Sequence, residues 1–264
     1  MNVSPVQLIG AGPGDPELLT IRAARVLQSA QVVVYDRLVG REILALIPAG
    51  AERIYVGKRK HLHTLSQPMI HEVLIDRARQ GLKVVRLKGG DPLIFGRGGE
   101  EADALTAAGV PWTIVPGITA AVGGAASQGI CLTHRDNNQA VSFVTAHRRH
   151  GLLDLDWDLL LRPNHVTVIY MGVSVISAIA TGLRSRGMAR DTPISIISRA
   201  TLPDEQALTT SLGILAEGKC GIAVCAPAVL ILGAHYCNPA ATPAPNQTLD
   251  RKPICCRNSA DSRL

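Results

Sequence analysis

Short apolar runs rich in β-branched residues alternate along this chain with longer segments whose apolar residues recur every three or four positions. Short runs between turn residues are typical of strands, and the longer period is typical of helices that cover a sheet. The predicted strands of the first series are 6–9, 32–35, 53–56, 84–87 and 112–115. The predicted helices between them are 16–29, 68–80 and 99–108. This alternation indicates an α/β protein.

A second series of the same kind follows the first. Its predicted strands are 141–145, 166–170, 194–198 and 229–232, and its predicted helices are 173–186 and 211–217. A Pro-Gly turn at 116–117 separates the two series and predicts an N-terminal α/β domain, 1–116, and a C-terminal one, 117–237. The remaining residues, 238–264, are rich in Pro, Asn, Ser and Thr, which predicts a disordered tail.

The composition excludes several classes of protein. The 264 residues are 47% hydrophobic, enough for a sizeable core, yet no apolar run reaches the ~18 residues of a membrane span. The N-terminus lacks the features of a secretory signal, and most cysteines stand alone in apolar segments, so we expect a cytoplasmic protein with reduced thiols. Only 3% of residues are aromatic, which disfavours a nucleic-acid platform, whereas the net charge of +6 suggests an acidic partner.

The first predicted strand runs into a glycine-rich turn, GAGPGD, at residues 10–15. The spacing of its glycines resembles the dinucleotide fingerprint of NAD(P)-dependent oxidoreductases. Asp36, at the end of the next strand, supplies the acidic residue that this fingerprint also contains. Two residues count against that interpretation. Asp15 places a negative charge where the fingerprint has glycine, and Pro13 lacks an N–H that a phosphate would use. The turn therefore favours a ligand without phosphates, such as a nucleoside.

The fourth predicted strand leads into a second glycine-rich stretch, VVRLKGGDPLIFGRGGEE, at residues 84–101. Five glycines within eleven residues indicate that the backbone approaches a ligand closely and adopts several left-handed conformations. The apolar Leu-Ile-Phe segment inside the stretch needs burial, which a merely flexible loop would not provide. Since binding residues are concentrated in loops at strand ends of α/β sheets, we interpret this stretch as part of a binding site.

The chain carries, in order, the segments GAGPGDPELLT, VVYDRLV, YVGKR, VVRLKGGDPLIFGRGGEE, PGITAA, LTHRD and YMG. In this order and spacing they resemble the S-adenosylmethionine-dependent tetrapyrrole methylases over residues 6–233. GAGPGD and GGDP are widely shared in that family, whereas YVGKR with the long glycine-rich stretch is similar to uroporphyrinogen-III C-methyltransferases in particular. A precorrin methyltransferase of the same family is one alternative, and an NAD(P)-dependent oxidoreductase is another.

The resemblance implies a two-domain tetrapyrrole-methylase fold. In that fold each domain is a mixed sheet flanked by helices, and the active site lies in the cleft between the domains. The resemblance further implies a homodimer that uses S-adenosyl-L-methionine, releases S-adenosyl-L-homocysteine and methylates uroporphyrinogen III twice. The product, precorrin-2, feeds the synthesis of cobalamin, siroheme or heme d1. No metal, nucleic acid or membrane is implied.

Residues carried over by matching positions fall into three groups. Those expected to bind the cofactor are Pro13, Gly89, Gly90, Asp91, Ile94, Thr119, Ala120 and Met171. Those expected to act in catalysis are Asp36 and Lys58, as base and acid, with Arg97 as a rival candidate for deprotonation. Those expected to bind the tetrapyrrole are Arg97 and Glu100. His134 and Arg135 are added because a basic pair beside the cleft suits the carboxylates of the substrate, although these two residues could instead belong to a capped loop.

General chemistry agrees with these assignments. When a pyrrole carbon attacks a sulfonium methyl, the ring becomes cationic and must lose a proton, which calls for a positioned base. The carboxylates of uroporphyrinogen call for Arg, Lys and His in the site. The sequence departs from the family pattern at Cys131, at His147 and in the segment 198–201, where the glycine usual before Thr201 is missing. Cofactor contact at that segment is therefore left open.

Overall fold

The computed structural model describes residues 3–57, 65–146, 153–218 and 225–236. Within these ranges the chain divides into two compact units. The first comprises the described residues up to Gly124 together with Ala200–Asp204, and the second comprises the other described residues. No helix in the described part is long and apolar enough to cross a membrane.

The first unit is a five-stranded parallel sheet with helices between its strands. Its strands are β1 (Val6–Gly10), β2 (Val32–Tyr35), β3 (Glu52–Tyr55), β4 (Val84–Lys88) and β5 (Trp112–Val115). Its helices are α1 (Ile21–Gln28), α2 (Arg41–Ala45), α3 (Gln67–Arg79), α4 (Gly98–Ala107) and the start of α5 (Ala120–Ser127). The strand order is β3-β2-β4-β1-β5, so β4 lies at the centre, between β2 and β1.

Each face of this sheet buries an apolar core of its own, as expected for a parallel sheet covered on both sides. One core includes Leu8, Val34, Leu74 and Leu105. The other includes Ile9, Val33, Leu87, Leu27 and Ile43. Neighbouring residues of one strand enter different cores because successive side chains of a strand point to opposite faces. The two cores hold in place the strand ends from which the glycine-rich loops project.

The first helix is shorter than the sequence predicted. Pro16–Leu18 form a single 3-10 turn, and α1 begins only after Thr20, whose side chain accepts a hydrogen bond from the N–H of Ala23 at 3.1 Å. Asp15, which directly precedes the predicted helix, accepts a hydrogen bond from the N–H of Glu17 at 2.8 Å and caps only the short turn. The helix is interrupted because a threonine hydroxyl offers the backbone a capping bond in place of helical continuation.

The second unit holds a five-stranded sheet of order β10-β9-β11-β8-β7 and a separate pair of short strands. Its strands are β6 (Ile130–Cys131), β7 (Ala140–Thr145), β8 (His165–Tyr170), β9 (Pro193–Ser198), β10 (Gln206–Ser211), β11 (Ala228–Leu232) and β12 (His235–Tyr236). Its further helices are α6 (Trp157–Leu160), α7 (Ile176–Ser185) and α8 (Leu212–Ala216). β7 and β8 are parallel and the other pairs antiparallel. The α/β fold class is confirmed, with mixed pairing confined to this second sheet.

Some features of the second unit were not anticipated. β10 pairs along β9 at the edge of the sheet, although its sequence, QALTTS, contains no apolar run. The strands β6 and β12 pair with each other, and at two residues each they are too short to produce a recognisable sequence pattern. Cys131 on β6 is disulfide-bonded, which corrects the expectation of a reduced thiol in an apolar segment.

Candidate active site

The glycine-rich loops after β1 and β4 meet at the carboxyl edge of the first sheet. The backbones of Gly12 and Gly90 form an antiparallel bridge, with N···O distances of 3.1 and 2.7 Å. The N–H of Ala11 donates a further bond to the carbonyl oxygen of Lys88 at 2.7 Å. Both bridging glycines have a positive φ, 75° and 67°, a conformation that favours glycine. The two glycine-rich stretches of the sequence therefore form one connected backbone structure.

Gly10 and Gly117 allow the loop after β5 to join this structure. A Cβ built on Gly10 would lie 2.5 Å from the backbone nitrogen of Gly117 and 2.6 Å from the carbonyl oxygen of Gly90. A Cβ on Gly117 would overlap that same carbonyl oxygen. Because neither position has room for a side chain, the three loops can approach each other this closely only with glycine at both positions.

The carboxylate of Asp91 also ties these loops together. Its Oδ2 accepts a hydrogen bond from the N–H of Gly117 at 3.0 Å, and its Oδ1 accepts from the N–H of Leu93 at 2.8 Å. Asp91 therefore links the loop after β4 to the loop after β5. Its direct contact with a cofactor, expected from the sequence, stays a prediction.

The backbone donors of the first glycine turn are largely engaged. The N–H groups of Ala11 and Gly12 bond to carbonyl oxygens, and the N–H of Asp15 donates to Oγ1 of Thr201 at 3.0 Å. Pro13 has no N–H to offer. Phosphate binding at such a turn depends on free backbone N–H groups, so this turn is poorly suited to a pyrophosphate and better suited to a nucleoside.

The segment 200–204 lies against this first glycine turn, within the same unit. A Cβ on Gly14 would lie 2.7 Å from the side chain of Leu202, and Thr201 accepts the hydrogen bond from Asp15. Thr201 has a φ of 65°, which is rare for a β-branched residue and tends to persist where surrounding structure enforces it. The segment that departs from the family pattern thus supports the turn through its threonine hydroxyl.

The other expected cofactor residues of the first unit lie around the same loops. A Cβ on Gly123 of α5 would come within 2.6 Å of the ring of Pro13. A Cβ on Gly90 would lie 3.7 Å from Cα of Thr119 and 3.8 Å from the nitrogen of Ala120. Ile94 donates its N–H to the carbonyl oxygen of Asp91 at 3.4 Å. The structure therefore brings together Pro13, Gly89, Gly90, Asp91, Ile94, Thr119 and Ala120.

Asp36 follows β2 at this same edge of the sheet, and both oxygens of its carboxylate are held. Oδ1 accepts a hydrogen bond from the N–H of Leu38 at 3.0 Å, and Oδ2 accepts one from Nη2 of Arg86 at 3.1 Å. The side chain is 24% exposed and can be reached from solvent. Because an ionised carboxylate can accept about four hydrogen bonds, Asp36 can accept further hydrogen bonds from a ligand.

A buried charged cluster, formed by Arg86 and Lys88 of β4 and Glu101 of α4, lies behind Asp36. The three side chains are 4%, 4% and 0% exposed. Oε1 of Glu101 accepts hydrogen bonds from Nε of Arg86 at 3.0 Å and from Nζ of Lys88 at 2.9 Å. Burial, and to a lesser extent the charge of Arg86, lowers the pKa of the Lys88 ammonium from its ordinary value.

The sequence analysis did not single out this cluster, although a signal for it exists. β4 reads VVRLK and is buried along its whole length, so its two basic residues lie where charges are rarely left without a partner. That pattern alone predicts an acidic partner, but it does not identify Glu101, which is contributed by α4.

Arg97 and Glu100 form an exposed ion pair at the start of α4. Nε and Nη2 of Arg97 donate to the two carboxylate oxygens of Glu100 at 2.8 and 2.6 Å, and the side chains are 55% and 53% exposed. The hydrogen bonds to Glu100 raise the pKa of Arg97 above its ordinary value. Arg97 also has a positive φ of 59°, a strained conformation that non-glycine residues keep mainly at functional sites. The guanidinium is thus suited to hold a carboxylate and unsuited to remove a proton.

The remaining expected site residues belong to the second unit or lie outside the described residues. His134 and Arg135 are in the turn between β6 and β7, where Nδ1 of His134 accepts from the N–H of Asp136 at 3.2 Å. Met171 directly follows β8, is half exposed, and has a φ of 56°. Lys58, the expected acid, lies outside the described ranges.

This chain is similar to one family of known proteins. A family model described as tetrapyrrole (corrin/porphyrin) methylases matches residues 5–216. The siroheme synthase of Hahella chejuensis is 50% identical over 228 residues, which cover 86% of this chain and 49% of that protein. The siroheme synthase of Gluconacetobacter diazotrophicus is 48% identical over 241 residues, which cover 91% of this chain and 51% of that protein. The chain therefore spans about half the length of the curated relatives it matches.

Solved structures are similar over most of their length. The uroporphyrin III C-methyl transferase of Thermus thermophilus is 40% identical with a TM-score of 0.75, covering 87% of this chain and 92% of that chain. A second structure of that enzyme, complexed with S-adenosyl homocysteine, matches to the same degree. A cobalamin biosynthetic enzyme, cobalt precorrin-4 methyltransferase, is 29% identical with a TM-score of 0.76, covering 87% of this chain and 94% of that chain. These likenesses agree with the α/β architecture described above.

Proposed function

This chain belongs to the tetrapyrrole methylase family, and from that premise we propose that it is an S-adenosyl-L-methionine-dependent uroporphyrinogen-III C-methyltransferase. The proposed reaction adds methyl groups to two ring carbons of uroporphyrinogen III and yields precorrin-2. Structures of similar fold include a cobalt precorrin-4 methyltransferase as well as a uroporphyrin III enzyme. The choice between substrates therefore depends on the residues of the site and on the motifs YVGKR and GRGGEE.

The observation that carries the proposal is the position of the Asp36 carboxylate beside the connected glycine loops. Asp36 holds the N–H of Leu38, and a Cβ built on Gly89 would lie 2.6 Å from Cβ of Leu38. A partly exposed carboxylate thus lies next to the glycine-rich loop after β4, which packs closely against Leu38. A methyl transfer to carbon needs both features, a base and a place for the methyl donor.

The connected loops fit S-adenosyl-L-methionine. Their small residues allow close approach, and their engaged N–H groups suit a nucleoside without phosphates. The residues we assign to the cofactor are Pro13, Gly89, Gly90, Asp91, Ile94, Thr119, Ala120 and, in the second unit, Met171. When bound, the cofactor supplies a methyl group on a positively charged sulfur. Binding of S-adenosyl homocysteine by the Thermus thermophilus relative supports this assignment.

Asp36 is the proposed base. The methylated pyrrole carbon already carries a side chain and has no hydrogen, so the cationic ring system loses its proton from a pyrrole nitrogen or a bridging carbon. The carboxylate of Asp36 would accept that proton, while Arg86 and the N–H of Leu38 keep it in place. Arg97 is the weaker candidate because its ion pair with Glu100 raises its pKa. Lys58 is proposed as the acid on the resemblance alone.

Arg97, Glu100, His134 and Arg135 are the proposed contacts of the tetrapyrrole. A guanidinium binds a carboxylate through two parallel hydrogen bonds, and Glu100 already holds Arg97 in such a geometry. Substrate carboxylates would meet a cation that is oriented before binding. From the resemblance we also propose a homodimer in the cytoplasm.

The proposal is tested by following methyl transfer from S-adenosyl-L-methionine to uroporphyrinogen III in single turnover. Removal of a proton by a positioned side chain is worth ~100- to 10,000-fold, so we expect Asp36→Asn to lose at least ~100-fold in rate. Asparagine has the same shape, and calorimetry should show unchanged affinity for S-adenosyl-L-homocysteine.

Three outcomes would count against the proposal. Methylation of a precorrin without methylation of uroporphyrinogen III would assign the chain to the precorrin branch of the family. Binding of NAD in place of S-adenosyl-L-homocysteine would restore the oxidoreductase interpretation. A near-normal rate in Asp36→Asn would show that the base is another group or solvent.

A further inference from the structure

The buried charged cluster lies directly behind the proposed base. Arg86 holds that base in the reaction described above, but Lys88 and Glu101 have no role in it. We propose that Glu101 is a positioning residue for Asp36 and that it acts through the guanidinium of Arg86. This inference rests on the proposed function, in which Asp36 takes the proton from the substrate.

The guanidinium of Arg86 is held on every side. Nε donates to Oε1 of Glu101 at 3.0 Å, and Nη1 donates to the carbonyl oxygens of Val34 at 3.3 Å and Leu87 at 3.1 Å. Only Nη2 reaches towards the site, where it donates to Oδ2 of Asp36 at 3.1 Å. Because a guanidinium is planar and rigid, its bond to Glu101 also sets where Nη2 lies. The position of the Glu101 carboxylate therefore determines where the Asp36 carboxylate is held.

Glu101 is itself fixed from several elements. Its Oε1 also accepts from Nζ of Lys88 at 2.9 Å and from Nε2 of Gln67, on α3, at 3.4 Å. The side chain is fully buried. The carboxylate therefore connects α3, α4 and β4, and it cannot turn without breaking contacts with two cations.

Stability alone is a poor explanation for this cluster. Burying ionised groups costs several kcal/mol each, and hydrophobic side chains of similar volume often stabilise a fold as well or better. Oε2 of Glu101 is buried and has no hydrogen-bond partner among the described residues, which adds to the cost. The buried charged cluster is explained if the guanidinium of Arg86 must keep one fixed orientation next to Asp36. Packing alone would not favour the cluster.

The first test compares Glu101→Gln with Asp103→Asn. Glutamine keeps the shape of Glu101 but loses the charge that holds Arg86, whereas Asp103 is exposed on the same helix. Misplacing a reacting group by ~1 Å can cost ~100-fold, so we expect kcat of Glu101→Gln to fall ~10- to 100-fold. The KM for uroporphyrinogen III and the affinity for S-adenosyl-L-homocysteine should stay at their wild-type values, and Asp103→Asn should match wild type throughout.

If Glu101→Gln does not fold, Glu101→Asp takes its place, because it retains the charge and shortens the reach of the carboxylate. We expect the same selective loss of kcat, smaller than that of Glu101→Gln. Wild-type kcat in either folded variant would overturn the inference. An equal loss in kcat and in cofactor affinity would also overturn it, since that result indicates general damage to the fold.

A second measurement does not depend on turnover. The side-chain carboxyl carbon of Asp36, labelled with 13C and assigned by its loss in Asp36→Asn, should shift in the NMR spectrum of the Glu101 variant and not in that of Asp103→Asn. An unmoved Asp36 signal would overturn the positioning role even if the wild type methylates its substrate. If the Asp36 signal moves in the Glu101 variant but the wild type does not methylate uroporphyrinogen III, the proposed function is contradicted. The coupling between Glu101 and Asp36 would still stand.

Discussion

The local environments of Asp36 and Arg97 favour different roles for these two residues in the proposed site. Asp36 is bound by one backbone N–H and one guanidinium and stays partly accessible. Arg97 is exposed, and its bond to Glu100 raises its pKa. A carboxylate in the first setting can accept a proton, whereas a guanidinium in the second can only attract anions. We therefore distinguish the proposed base from the proposed substrate contact by the charge and the hydrogen-bond partners of each side chain.

Arg97→Ala should weaken substrate use without affecting the cofactor. Loss of a charge-assisted hydrogen bond costs about 1.5–3 kcal/mol, so kcat/KM for uroporphyrinogen III should fall ~10- to 100-fold. Because the ion pair with Glu100 is exposed, the free energy of unfolding should change by less than about 1 kcal/mol. Steady-state kinetics, calorimetry with S-adenosyl-L-homocysteine and urea unfolding measure the three quantities. A normal kcat/KM would remove Arg97 from the site.

At the scale of elements, the central feature is the connection of three loops through their backbones. The two glycine-rich stretches are far apart in the sequence, and each predicts a local turn. The structure joins them through the bridge between Gly12 and Gly90, and Gly117 adds the loop after β5. Such a contact arises from the order of the strands, which places β4 and β5 on either side of β1.

Gly117→Ala tests whether this connection supports the fold. Its new Cβ would overlap the carbonyl oxygen of Gly90, and overpacking of this kind costs about 1–3 kcal/mol or more. The matched control is Gly50→Ala in the same unit, because a Cβ there would meet no atom within 4 Å. Urea unfolding should show a clear loss for Gly117→Ala and a change within about 0.5 kcal/mol for Gly50→Ala. Equal stability of the two variants would contradict the close approach.

Helix ends were predicted well where the signal is local. α3 and α4 lie within one residue of their predicted bounds, and each is followed by a glycine of left-handed φ, Gly81 or Gly109. The prediction of one continuous helix over 16–29 was wrong because Thr20 caps a helix that begins only at Ile21. β10 was missed because its stability comes from pairing with β9, which no local pattern reveals.

For the whole molecule, charge is the property most relevant to the proposed substrate. The net charge of +6 attracts a polyanion at long range, while the cofactor carries no comparable negative charge. Exposed side chains such as that of Arg97 would contribute through contacts that salt can screen. The buried charged cluster is shielded from solvent and should be much less sensitive to salt.

Raising the salt concentration should therefore raise the apparent KM for uroporphyrinogen III. At ~0.5 M salt the screening length is well below the ~10 Å found at 0.1 M, so exposed contacts with carboxylates weaken. The affinity for S-adenosyl-L-homocysteine should change little over the same range. Initial rates and calorimetry at low and high salt check both. A KM that is independent of salt would show that the substrate is not held by exposed charges.

The sequence by itself determined the α/β class, most strand positions, the two glycine-rich stretches and the residue types expected at the site. These features are local, since periodicity, caps and motifs are written in neighbouring residues. Only the tertiary structure decided that Gly12 meets Gly90, that Thr201 supports Asp15, and that Glu101 reaches Asp36 through Arg86. Those contacts join residues far apart in the chain, and they form because strand order and helix packing bring them together. No periodicity in the sequence specifies such partners.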